Sequence, residues 1–416
     1  MHLTTTIVLV IVGLALTAGG RLGGKGQGGK GGGKGTGGKG SGASKLGGID
    51  KSPQFSIGGN LTLSNVDLMQ TLASRGVSWL TFQLREIQFL PKGKVGNYFA
   101  FGYYRYADRG GKGSNLASSA TLRADVGLTF LDILTRDQRQ ILWDAVEREA
   151  PMDANYMTAR NIAIEELYKL KQSKDAKIDE NLILNQTATA GYWEGKLGYD
   201  QAVAMVAVLN SMTDSQRALL LPVRTGEYAY NETTSSNSHG DLLGPHSGDA
   251  SHAGNLRDLS AKAMTFATST MEQARWTELA RYANYFGFAT FRSYSKIDSG
   301  IGQAAGLRSN AFKKFLEICT EEQKRVIYNA TLEETKDMKA ILEIHDKILA
   351  EIWKLKDGDK AREDRIVQWA ETLSRHEGVV ALSQAKALSK VYWAFDDAQK
   401  TQLAALAQVN SRPVIG

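Results

Sequence analysis

From about residue 60 onward, apolar residues recur every three or four positions, the period of a helix with one buried face. The clearest run is Met338, Ile341, Leu342, His345, Ile348, Leu349, Ile352 and Leu355. Its 3/4 spacing predicts an amphipathic helix of about five turns. Pro91, Pro151 and Pro222 fall where these patterns stop or restart, so they predict helix boundaries. Between residues 225 and 254 the chain becomes polar and glycine-rich, which predicts a solvated linker over 226–254. The expected fold class is all-α.

The segments on either side of that stretch match each other. Asn97-Tyr98-Phe99-Ala100-Phe101 recurs as Asn284-Tyr285-Phe286-Gly287-Phe288, and Arg105 and Arg292 follow at equivalent places. The run from Glu166 to Lys171 recurs from Glu351 to Lys356, and Gln201-Ala202 recurs as Gln384-Ala385. The offsets fall smoothly from 187 to 185 to 183, as expected for an internal duplication with two small deletions. The expected organisation is therefore two tandem homologous helical domains, 60–225 and 255–410, each built of hairpin-linked helices.

A shorter element occurs twice in each copy. Thr135 and Gln138, then Thr213 and Gln216, lie in the first; Thr320 and Gln323, then Asp396 and Gln399, lie in the second. Each follows an apolar residue (Leu134, Met212, Cys319, Phe395) and precedes a basic one (Arg139, Arg217, Lys324, Lys400). Thr or Asp with Gln three residues later is a capping box: the first side chain accepts from the N3 amide, and the glutamine accepts from the N-cap amide. Acidic residues such as Asp137, Glu321 and Glu322 suit the positive end of the helix dipole. The four elements thus predict four corners where one helix ends and another begins.

This L-T-x-x-Q-[RK] element resembles the motif of the LTxxQ proteins of the bacterial envelope, the Spy/CpxP-like periplasmic chaperones and related metal-responsive regulators. The resemblance spans some six residues at each of four sites. It implies an envelope compartment, helical hairpins and a client-binding role. The chain departs from the family in its two large copies, in the 78 residues from Thr135 to Thr213, and in Asp396 in place of threonine.

The N-terminus has a different character. Ile7–Leu16 is an apolar run of ten followed by Thr17, Ala18, Gly19 and Gly20, which predicts a signal peptide over 1–20. It is too short to span a bilayer as a helix. Residues 21–52 are glycine-rich: 17 of the 43 glycines lie between Gly19 and Gly48, with a lysine every four or five positions. Such a chain cannot bury enough apolar surface to fold and is expected to be disordered. Seven of the 50 basic residues lie between Arg21 and Lys51 against the single acid Asp50, which leaves 43 basic and 43 acidic residues elsewhere. The net charge of +6 is therefore a property of the tail. Lys25, Lys30, Lys34, Lys39 and Lys45 are expected to contact polyanions such as anionic surface polymers or lipid head groups. A phosphate-binding P-loop is excluded, because Lys25, Lys30, Lys34 and Lys39 are each followed by glycine rather than Ser or Thr.

Catalytic chemistry finds little footing. The single cysteine, Cys319, fills the apolar slot before a capping threonine and is expected to be a buried hydrophobe. His345 lies on the apolar stripe, and His376 aligns with Trp193 in the other copy. His239, His246 and His252 accompany Asp241 and Asp249 in the polar stretch, at spacings that match no rigid metal site. The aromatic runs around Tyr98 and Tyr285 fit a shared core better than a stacking surface. Asn60, Asn185, Asn231 and Asn329 head N-x-T sequons. No catalytic residue, metal site or cofactor is assigned, and no specific nucleic acid is expected of the neutral body. The expected function is that of a secreted or periplasmic, cell-envelope, non-enzymatic protein. It would bind other proteins or surfaces in a chaperone- or sensor-like way, with the tail as a cationic tether. The alternative is a structural or adhesive surface component that self-assembles into a homo-oligomer.

Overall fold

The computed structural model describes residues 53–57, 61–64, 126–275 and 311–408, with nine single positions between 69 and 99. The signal-peptide and tail expectations, including Lys25, Lys30, Lys34, Lys39 and Lys45, lie outside the described residues, as do Pro91 and the aromatic run around Tyr285. The fold is all-α, apart from a short hairpin that precedes the body. Its strands β1 (Pro53–Ile57) and β2 (Leu61–Ser64) pair antiparallel, with Phe55 opposite Leu63 and Ile57 opposite Leu61.

The body opens with α1 (Val126–Asp132), α2 (Arg136–Gln172), α3 (Glu180–Ser211) and α4 (Asp214–Thr225). After a bridging segment come α5 (His239–Leu243), a 3₁₀ turn (Gly244–His246), α6 (Ala250–Thr268) and α7 (Met271–Arg275). The order then repeats as α8 (Ala311–Ile318), α9 (Glu321–Glu333), α10 (Thr335–Lys356), α11 (Glu363–Trp393) and α12 (Asp397–Gln408). α2 with α3 and α10 with α11 form two long hairpins, and α3 lies along α11 in the most extensive helix contact. Pro151 and Pro222 do not bound helices as their positions suggested; they sit inside α2 and α4. A proline forfeits one helical N–H bond, and in α2 the long packing against α3 keeps the helix continuous through that loss. In the second copy the helix is interrupted two residues before the equivalent position: Glu334, aligned with Glu149, separates α9 from α10.

Close approach of α3 and α11 is permitted by small residues. A Cβ on Gly191 would lie 2.4 Å from the Ala370 carbonyl oxygen and 2.5 Å from the Ser374 Cβ, and one on Gly195 would lie 2.8 Å from the Val367 Cα. Gly378 is held as tightly against Thr187. These pairs are symmetric. A shift of 183 residues carries Thr187 to Ala370, Gly191 to Ser374 and Gly195 to Gly378. It therefore turns the Thr187–Gly378 contact into the Ala370–Gly195 contact and maps Gly191–Ser374 onto itself. The two helices cross about a local pseudo-two-fold axis.

The two copies do not keep to themselves. α6, which opens the second copy, packs on α1, α2 and α4 of the first. Conversely, Gly76, from the opening of the first copy, faces Leu388 and Phe315 of the second, 2.9 and 3.2 Å from where its Cβ would stand. Trp353 Nε1 donates to the Tyr98 carbonyl over 3.2 Å. One contiguous apolar core draws on both copies.

Residues 226–254 are exposed over most of their length but are anchored to the body. Asp132 accepts from the Tyr228 hydroxyl (2.9 Å), the Ser235 hydroxyl (2.5 Å) and the Asn237 amide (3.1 Å). Leu242, Leu243 and His246 are buried, and Trp143 Nε1 donates to the Leu242 carbonyl. The polar composition hid this, because a handful of side chains anchors the strap to α1 and α2. α6 also begins inside the stretch, behind the Asp249 cap.

The packing predicts a contrast between two glycines. Gly191→Ala should destabilise the fold by about 1–3 kcal/mol, because the new methyl meets backbone. Gly254→Ala, in α6 with nothing within 4 Å, should stabilise it by about 0.5–1 kcal/mol through helix propensity. Urea midpoints at unchanged m value read both effects.

Candidate functional site

The eight motif residues assemble into two paired corners. Thr135 accepts from the Gln138 amide (3.3 Å) while Gln138 Oε1 accepts from the Thr135 amide (2.9 Å). Thr213 with Gln216, and Thr320 with Gln323, repeat this box. Asp396 does the same with Gln399, at 2.7 and 3.0 Å. The glutamines then meet. Gln138 Nε2 donates to Gln216 Oε1 (3.2 Å) and to the Ser211 carbonyl (2.9 Å). Gln216 Nε2 returns bonds to Gln138 Oε1 (2.8 Å) and to the Ile133 carbonyl (2.7 Å). Gln323 and Gln399 form the same reciprocal clasp, with the Ala394 and Ile318 carbonyls as outer acceptors. Each glutamine thus caps its own helix and ties off the preceding helix of the other corner. The basic residue of the motif also acts in the first copy: Arg139 donates to the Leu131 and Leu134 carbonyls, and Arg217 to the Leu209 carbonyl. Capping was legible from spacing; the long-range clasp carried no local signal.

At the far end of each hairpin a buried carboxylate fixes the turn. Glu166 accepts from Lys169 Nζ (2.6 Å) and the Asp179 amide (2.8 Å), and Glu351 from Lys354 Nζ (2.7 Å) and the Arg362 amide (2.8 Å). Burial pushes both carboxyls up, but the lysine and amide bonds outweigh it and hold them below the usual range. The turn is two residues shorter in the second copy, 11 against 13 between the bonded residues. That locates one of the deletions. Midway along the hairpins, Gln201 donates to Glu149 and Gln384 to Glu334, both over 2.7 Å. All four polar partners are structural.

The remaining candidates resolve similarly. Cys319 is 4% exposed, and burial pushes its thiol up to about 12, so it is no nucleophile at neutral pH. His345 is buried and stacks on Tyr98 at 5.6 Å. His376 bonds Asp337 over 2.7 Å. His246 contacts the Trp143 carbonyl, His252 bonds Asp249, and His239 accepts from Arg257. Among the described residues, no group of three or more His, Cys, Asp or Glu is arranged to hold a metal ion. Tyr98 and Phe99 are fully buried. Asn185, Asn231 and Asn329 are exposed, and Asn329 lies on α9.

One surface of the second copy is open. A groove of about 470 Å³ runs between α9 and α11, floored by Val326, Ala330, Val379, Leu382 and Ala387 and edged by Asn329, Glu333, Lys386 and Lys390, with Glu180 of α3 at its rim. A second cleft of about 390 Å³ shares Lys386 and Lys390 and is completed by Leu170, Lys174, Ser389, Trp393 and Ala394. Lys386 is bonded to Glu180 over 2.6 Å. The equivalent face of the first copy is bridged: Arg148, aligned with Glu333, donates two bonds to Asp200, aligned with Ser383, at 3.2 and 3.3 Å. This mixed apolar and cationic groove is the candidate site. The block of sequence that forms it reads as ordinary amphipathic helix, which is why the spacing did not single it out.

Compared with known protein families, curated proteins and solved structures, the chain matches none.

One titration tests the buried chemistry. Lys356 Nζ donates to the Phe266 and Ser269 carbonyls at 2.6 and 2.8 Å, closing the C-terminus of α6, and stands 4.4 Å from the Trp353 ring centroid. Burial pushes its ammonium down from 10.5 to about 8. Between those pH values the unfolded chain keeps the proton and the folded chain releases it, so this group makes stability rise with pH. The difference in unfolding free energy between the native protein and Lys356→Met should therefore grow in favour of the native protein from about pH 8 to pH 10.5. A pH-independent difference would contradict the assignment.

Proposed function

We propose that the protein is an exported, non-enzymatic binding protein that engages other polypeptides through the α9–α11 groove, chaperone- or sensor-like in action. The observation that carries this reading is the groove itself. It is shallow and apolar along its floor and charged along its rim, and it stands beside helices clasped at both ends. An apolar floor binds side chains that unfolded segments expose, and a charged rim selects among them. The tail, with Lys25, Lys30, Lys34, Lys39 and Lys45 and no helix-forming pattern, serves in this proposal as a salt-sensitive tether to anionic polymers or lipid head groups. An envelope or extracellular setting accords with the N-terminal apolar run and with the LTxxQ-like corners. Among the described residues no helix is long and apolar enough to cross a membrane.

Two assays separate groove from tether. The protein should suppress light scattering by a chemically denatured client at about equimolar ratio, and Val379→Asp, which places a charge on the half-buried part of the groove floor, should weaken suppression severalfold with helicity retained. Deleting residues 21–51 should leave client protection and thermal stability unchanged while abolishing salt-dependent binding to a polyanion such as heparin. No suppression by the intact protein would refute the binding role.

A further inference from the structure

The two copies provide an internal comparison for the cleft at the end of α11. Between Gln201 and Gln216 in the first copy and Gln384 and Gln399 in the second, the alignment runs without a gap. Lys386, Ser389, Lys390 and Trp393 therefore stand where the first copy has Val203, Val206, Ala207 and Asn210. The first copy has three apolar residues and an asparagine here; the second has two ammonium groups, a hydroxyl and an indole. Ser389 is 4% exposed, and its hydroxyl makes no hydrogen bond. A buried donor without an acceptor is costly to keep, so the wall of the cleft differs from the first copy in polarity as well as in charge. Lys174 adds a third cation from the longer α2–α3 turn, and no acid lines the cleft; Glu180, bonded to Lys386, belongs to the adjoining groove.

We propose that the cleft of Lys174, Lys386, Ser389 and Lys390 binds the carboxylate of an aspartate or glutamate in a client polypeptide, whose neighbouring apolar residues lie in the α9–α11 groove. This rests on the reading of that groove as a polypeptide site and names the chemistry it selects. The carboxylate accepts from the lysine ammonium groups, while Leu170 and Trp393 flank its methylene stem. At about 390 Å³ the cleft has room for one such side chain with water. The tail is excluded as occupant, because its lysines carry the same charge as the cleft.

The test is calorimetric titration of the full chain with a soluble peptide of leucines and glutamates, and with its counterpart bearing glutamine for glutamate. The glutamate peptide should bind on the order of tenfold more tightly, as two or three charge contacts of partly exposed lysines would give. The triple variant Lys386→Val, Ser389→Val, Lys390→Ala takes its residues from the first copy and should lose that preference. Lys174→Ala, on an exposed turn, should lose part of it, and Lys360→Ala, in the α10–α11 turn, should keep it. Equal binding of the two peptides to the native protein, or a preference that survives the triple variant, would overturn the cleft assignment while leaving the groove intact. Binding of neither peptide, with denatured client still protected, would overturn the cleft alone; loss of both would overturn the groove reading as well. Displacement by anionic phospholipid vesicles without any peptide binding would assign the cations to a membrane surface and overturn the proposal.

Discussion

Everything in the body depends on how closely α3 and α11 approach. Gly191, Gly195 and Gly378 leave no room for a methyl group without movement of the opposing helix. That contact joins the two copies along their longest helices and brings their apolar stripes into one core. With the central pair fixed, α2 and α10 pack on the flanks. α6, which opens the second copy, packs on the first, and Gly76 of the first faces Leu388 and Phe315 of the second. The apolar core is one contiguous cluster that draws on residues from both halves of the chain.

Symmetry in the core contrasts with divergence at the surface. The glutamine clasps, the turn carboxylates and the Gln–Glu pairs recur in both copies. Each answers a requirement that both hairpins share: orphan amides and carbonyls at helix ends must be met, and a turn must be held. The groove answers no such requirement. In the first copy the Arg148–Asp200 pair spans it, and in the second the aligned Glu333 and Ser383 leave it open. A duplicated scaffold can change one face freely while the other copy and the shared core maintain stability.

The sequence made the corners and the buried stripe legible, because capping and amphipathicity are local rules: Thr320 and Gln323 are three residues apart, and His345 falls in step with its apolar neighbours. What the sequence hid was long-range or depended on few residues. Gln138 and Gln216 are 78 positions apart, and nothing local says that their amides meet. The strap at 226–254 has the composition of a linker, yet Asp132, Asn237 and Trp143 anchor it. Pro151 read as a boundary because propensity argues that way; tertiary packing overrode it. The groove has no local signature either, because it exists only where α9 and α11 lie side by side.

If the second copy carries the binding face, a bound client changes solvent exchange there and not in the first copy. Hydrogen exchange on the full chain, with and without a bound denatured client, tests it most directly. Client-dependent protection is expected in α9 and in residues 379–394 of α11 alone, with the aligned residues 196–211 of α3 unaffected. Equal protection of both stretches, or protection elsewhere alone, would contradict it.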